Sequence, residues 1–211
     1  MRMFRRGFTS LALAGTLLMA AAVPAAMAGT KDRFTYEVYF AEASSSLGLD
    51  SVDVVAQFGK SDGVSFRELA VNNWTFQSAC QGDGNVTGTI SVNTFGTSET
   101  AVITFDKDYL ATATASGTLT VTDTIVNSCT GVETPGRTYT TAVSLDLHAT
   151  TALTSTTTRT VTQEPDGTVA ETLKNSQRDA AGSMSVGGTS YASDPTTIVH
   201  QTDRIVFTPT R

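Results

Sequence analysis

Histidine, tryptophan, cysteine and proline are all scarce in this chain of 211 residues, at two, one, two and five copies. The two histidines, His148 and His200, lie far apart with no third nitrogen or sulfur ligand near either, which argues against a zinc site. No loop carries the Asp-x-Asp-x-Asp-Gly spacing of a calcium site. Basic blocks are missing, so no phosphate-tracking surface and no nucleic-acid partner are expected. Long helix formers are few, and the prolines of a mucin-like stalk are lacking. The nearest approach to a nucleophile elbow, Gly182-Ser183-Met184-Ser185-Val186-Gly187, misses the Gly-x-Ser-x-Gly spacing and reads as a glycine-rich hairpin. No catalytic, cofactor-binding or metal-binding residue is assigned, and no cofactor is expected.

Residues 1–28 have the three-part layout of a secretory signal. Arg2, Arg5 and Arg6 precede an alanine-rich apolar run from Leu11 to Met27, which ends in Ala26-Met27-Ala28. The run is shorter and weaker than the roughly 20 strongly apolar residues of a membrane span. Arg5-Arg6 resembles the twin-arginine export signature, but equally supplies ordinary positive charge. A lipid anchor needs a cysteine just after cleavage, and the first is Cys80, so no membrane anchor is expected. Residues 29–211 then form one domain with eleven basic and twenty acidic residues, a net charge of −9. Such a domain repels nucleic acid and anionic lipid. Cys80 and Cys129, an even pair in an exported chain, read as one disulfide.

What is abundant is threonine, roughly a fifth of residues 29–211. Turn signals such as Ser61-Asp62-Gly63, Ser116-Gly117, Pro165-Asp166-Gly167 and Gly187-Gly188 recur about every ten positions, the spacing of short antiparallel strands. Between them the period is two. Phe34, Tyr36, Val38 and Phe40 alternate with Thr35 and Glu37; Val52, Val54, Ala56 and Phe58 alternate with Asp53 and Gln57. The fold class is therefore all-β: an antiparallel sandwich or up-and-down barrel of about ten to twelve strands, which sequence alone does not separate. Phe34, Tyr36, Phe40, Val54, Phe58, Trp74, Phe76, Ile90, Val121, Val143 and Leu145 are the expected core. Thr150–Gln163 reads as an exposed or edge strand, and residues 170–181 as either a polar strand or a helical turn.

The runs Leu110–Asp123 and Ala142–Leu147 resemble those of a loose set of secreted bacterial β-rich proteins of unknown function. That resemblance implies an exported all-β chain and no particular activity.

Weak functional hints remain. His148 shares an outward strand face with Asp146 and Ser144, and neither histidine is expected to matter for folding or binding. Asp106 and Asp108 read as a turn rather than a glycosidase pair. Thr112, Thr114, Thr118, Thr120, Thr122 and Thr124 place hydroxyls along one sheet face, a solvated surface with a remote likeness to ice-binding arrays. Tyr39, on the polar phase of its strand, and Tyr109 and Tyr191, near turns, are candidate sugar-stacking rings. A closed barrel offers a mouth for an apolar ligand. The expectation is an exported non-catalytic domain that binds an unidentified ligand, partner or surface; the rival is a secreted hydrolase with carboxylates on loops.

Overall fold

The computed structural model describes residues 33–82 and 87–210. The expected signal peptide, residue 86 and the turn at residues 83–85 lie outside the described residues. Alternating sequence broken by turn residues yields eleven strands: β1 (Arg33–Leu47), β2 (Asp50–Ser61), β3 (Val64–Gln81), β4 (Thr87–Ser98), β5 (Val102–Phe105), β6 (Thr112–Asn127), β7 (Val132–Ala149), β8 (Thr154–Glu164), β9 (Gly167–Val186), β10 (Thr189–Ala192) and β11 (Thr196–Pro209). There is no helix among the described residues. Asp62-Gly63 and Gly187-Gly188 adopt positive φ in two-residue hairpin turns, as their sequence predicts.

All strand pairs are antiparallel, and the pairing closes on itself. The ring runs β1-β2-β3-β4-β6-β7-β9-β11 and returns to β1. The seam pairs Val143–Ala149 of β7 with Ala180–Val186 of β9. The other strands extend existing lines. β4 and β5 pair successive stretches of the same edge of β6, β11 and β10 share one edge of β9, and β7 and β8 share the other. The structure is thus an eight-position barrel, a size whose interior side chains can fill. It is narrow enough for β2 and β7 to touch across the interior.

That narrowness decides which residues face inward. Ala41, Ala43, Ala113 and Ala115 occupy the interior beside Leu69, Leu119, Leu145 and Leu147, all at most 4% exposed. Val54, Val121, Val143 and Leu145 are buried as expected, and Phe58 is partly buried against the core. On β1 the expected phase is inverted: Tyr39, Ala41 and Ala43 face inward, leaving Phe34, Tyr36 and Phe40 half-buried on the outside. On β3, Leu69 and Val71 take the inner face, so Trp74 and Phe76 are half-buried on the outer one. Ile90 is also only half-buried. Both phases of β1 are apolar, and a tight ring takes the smaller side chains inside.

The uncertain stretch 170–181 is strand, within β9. β8 is fully exposed and pairs only β9, as an edge strand should. Ser116-Gly117 is no turn but the middle of β6, where Gly117 meets Ala101.

Cys80 and Cys129 form the expected disulfide, with Cα atoms 6.2 Å apart. In a simple meander, a strand running unbroken through residues 110–126 puts the two cysteines at opposite ends. β6 does run nearly that whole length, yet the bridge forms. The reason is that β5 continues β4 instead of reversing it, so β3 and β6 run in the same direction on either side of β4. The disulfide passes over β4 at Gly88, where a Cβ would lie 3.0 Å from the Cys129 sulfur and collide with the Ser128 hydroxyl.

Candidate functional site

The inner face changes character along three adjacent strands. β1 passes from Ala43 and Ala41 to Tyr39 and Glu37, β2 from Val54 and Ala56 to Phe58 and Lys60, and β3 from Val71 and Leu69 to Arg67 and Ser65. At this end of the three strands lies an open cavity of about 630 Å³. Glu37, Tyr39, Phe58, Lys60, Ser65 and Arg67 line it, with Gly59 and Phe66 of the opposite phase at its edge and Glu99 and Lys107 contributed by the connections on either side of β5.

Register builds its floor. Phe58, Tyr39 and His200 are direct cross-strand partners on β2, β1 and β11. Neighbouring strands lie about 4.8 Å apart, so flat side chains at paired positions stack. The Tyr39 ring lies 5.0 Å from Phe58 and 4.1 Å from the His200 imidazole, with interplanar angles of 16° and 6°. Phe105 meets Phe58 edge-on at 5.5 Å. Burial, then the nearby Glu37 and Asp108 carboxylates, raise the Tyr39 pKa, so its hydroxyl stays protonated.

The loop carrying Lys107 is held by Asp106. Its carboxylate accepts hydrogen bonds from the backbone N–H groups of Asp108 at 3.1 Å, Tyr109 at 3.2 Å and Ala111 at 3.4 Å. This is a side-chain turn of the kind short acids favour, and it explains the Asp106/Asp108 pair as a loop clasp. Leu110, with φ of 50°, is buried beneath the loop. Arg178 donates to the carbonyls of Tyr109 and Thr151 at 3.1 and 2.6 Å, tying the same loop to the β7–β8 connection. So positioned, the Lys107 ammonium lies 5.1 Å from the Phe58 ring centre and 5.8 Å from that of Tyr39, within cation–π range. Arg67 reaches the Ala101 carbonyl at 3.4 Å.

The two histidines fare differently. His148 is exposed, 3.2 Å from Asp146 on the outer face, as its phase predicts. His200 has the partner its sequence neighbours did not reveal: its Nε2 lies 3.0 Å from a Glu37 oxygen, and its ring caps the aromatic stack. Tyr39, read as an exposed ring on a polar strand face, is 7% exposed in the floor of the cavity. Tyr191 is partly buried against the core and Tyr109 is 68% exposed. The threonines of β6 at positions 114, 118, 120 and 122 are exposed on the outer wall. Met184, inside the serine-glycine run, is a buried core residue within a strand. Among the described residues no three His, Cys, Asp or Glu side chains gather as metal ligands, and no helix is long and apolar enough to cross a membrane.

No family model, curated protein or solved structure matches the chain.

Proposed function

We propose that this chain is an exported, non-catalytic β domain that holds a small ligand in the mouth of its barrel. The observation that carries this reading is the change of inner-face chemistry around the 630 Å³ cavity, from aliphatic packing to aromatic rings and long charged side chains. A concave site with an apolar floor and a few converging polar groups is the usual form of a small-molecule pocket. The disulfide suits an oxidising compartment, and the N-terminal signal pattern supports export by the same logic. Native mass spectrometry of protein taken from its own culture medium should find a bound small molecule. A Ser65→Trp variant, which fills the mouth, should lack it. Wild-type protein carrying no ligand and retaining none from its medium would overturn the reading.

A secreted hydrolase is the second reading, favoured by the Glu37–His200 pair beside the cavity. In its support, a carboxylate-bonded imidazole is the core of many acid–base devices. Against it, the imidazole Nε2 is engaged by Glu37 and one ring face is covered by Tyr39. Turnover of chromogenic esters or glycosides that vanishes in both Glu37→Gln and His200→Ala would establish this second reading and displace the first.

A further inference from the structure

Opposite charges are sorted to the two faces of the barrel wall. The described residues hold nine basic and eighteen acidic side chains. Yet the cross-strand register places Arg159, Lys174, Arg204, Arg33, Lys60 and Arg67 on one face of β8, β9, β11, β1, β2 and β3. That is the face carrying Tyr39 and Phe58, since directly opposed residues share a side of the sheet. Among the described residues, Glu37 and, at the opposite end of β2, Asp50 are the only acids in this phase of the six strands. Glu42, Asp53, Glu68, Glu171 and Asp203 all occupy the opposite phase. Their crowding shows in Glu42 and Asp203, whose carboxyl pKa values are raised first by burial and then by the neighbouring Asp53 and Glu171 respectively.

The cavity inherits this sorting. Its lining has three cations, Lys60, Arg67 and Lys107, against two carboxylates, Glu37 and Glu99. Glu37 stands directly across from Lys60 but bonds to His200 on its other side. Among the described residues none of the three cations has an ion-pair partner. An acidic protein that gathers unpaired cations in a concavity creates a local positive field there. Beneath them lies the aromatic floor. Charge-assisted contacts at the rim and apolar contact below select a ligand with both features side by side.

We infer that the mouth takes a small anion carrying a flat apolar body, the class of aryl carboxylates and aryl sulfonates. The inference rests on the mouth being a ligand site. Two dyes of the same aromatic skeleton test it: 1-anilinonaphthalene-8-sulfonate, and N-phenyl-1-naphthylamine, which lacks the sulfonate. Fluorescence titration of the full exported protein at low salt should give one site per chain, with the sulfonate bound at least tenfold more tightly than the neutral dye. The preference should shrink to less than twofold in the double variant Lys60→Gln/Lys107→Gln, which should keep its far-ultraviolet circular dichroism, and both dyes should be lost in Ser65→Trp. Equal affinity for the two dyes in the wild type, with both lost in Ser65→Trp, would overturn the anion inference and leave the ligand site standing. Failure of both dyes to bind, or binding indifferent to Ser65→Trp, would overturn the inference and count against the mouth as a site.

Discussion

The two ends of the barrel are built by the same strands in the same phase, yet one end is filled and the other is open. In the filled end, Ala41, Ala43, Val54 and Leu69 meet Leu119 and Leu145 with almost no exposure. Two to six residues further along β1, β2 and β3, the inner phase holds Glu37, Lys60 and Arg67, and an open cavity lies against them. The contrast shows where stability and function separate. Small and aliphatic side chains let the ring close to packing density. Long cations keep their charged ends in water and leave the space above the rings unfilled.

Variants at the two ends should sharpen that difference. Leu119→Ala or Leu69→Ala, each removing a side chain at 0% exposure, should cost about 2–5 kcal/mol in urea denaturation. Removing the disulfide by Cys80→Ser/Cys129→Ser should cost up to roughly 4 kcal/mol, the chain-entropy value for a closed loop of this length. Gly88→Val should have a related effect by a different route, because its side chain would occupy the space the bridge crosses. Thiol titration should then find free cysteine in a protein that otherwise has none among its described residues.

Smaller effects are expected away from the filled end. Trp74→Ala should cost about 1–2 kcal/mol rather than the larger penalty of a core tryptophan, because the ring covers only part of the outer wall. A loss above 3 kcal/mol would mean that something further covers this ring. Lys60→Gln/Lys107→Gln should leave stability within about 0.5 kcal/mol of the wild type, since both side chains are exposed and unpaired. A large loss there would make the mouth a structural element and erase the contrast between the ends.

Glu42→Gln should give the smallest effect, and one that depends on pH. Burial and Asp53 raise the Glu42 pKa above its ordinary 4.5, so the folded state disfavours the ionised form. The native penalty is absent below the unfolded-state value and develops as pH rises through the folded one. The variant should therefore melt slightly higher than wild type at pH 7 and at the same temperature near pH 3. A gain that persisted at pH 3 would assign the effect to something other than this carboxylate.

The sequence alone carried the class of fold and part of its punctuation, though Ser116-Gly117, read as a turn, lies inside β6. Asp62-Gly63 and Gly187-Gly188 specify hairpins because they tolerate positive φ, and alternation from Val52 to Phe58 states which phase of β2 is apolar. The outward threonines of β6 and His148 on β7 were legible for the same reason: on those strands one phase is clearly polar. What sequence could not decide was the phase of β1, where Phe34, Tyr36 and Phe40 compete with Tyr39, Ala41 and Ala43. Local alternation measures hydrophobicity, whereas the winner here was set by the width of a ring that only closes when β7 reaches β9. That choice also decided the site. Thr35, Glu37 and Tyr39 read as a solvated face, and they became the inner wall of a mouth. His200 acquired a carboxylate 163 residues away in the chain. The disulfide shows the same division: the even cysteine count predicted a pair, but the tertiary arrangement allowed it, by laying β5 end to end with β4 and leaving no side chain at Gly88 for the bridge to cross.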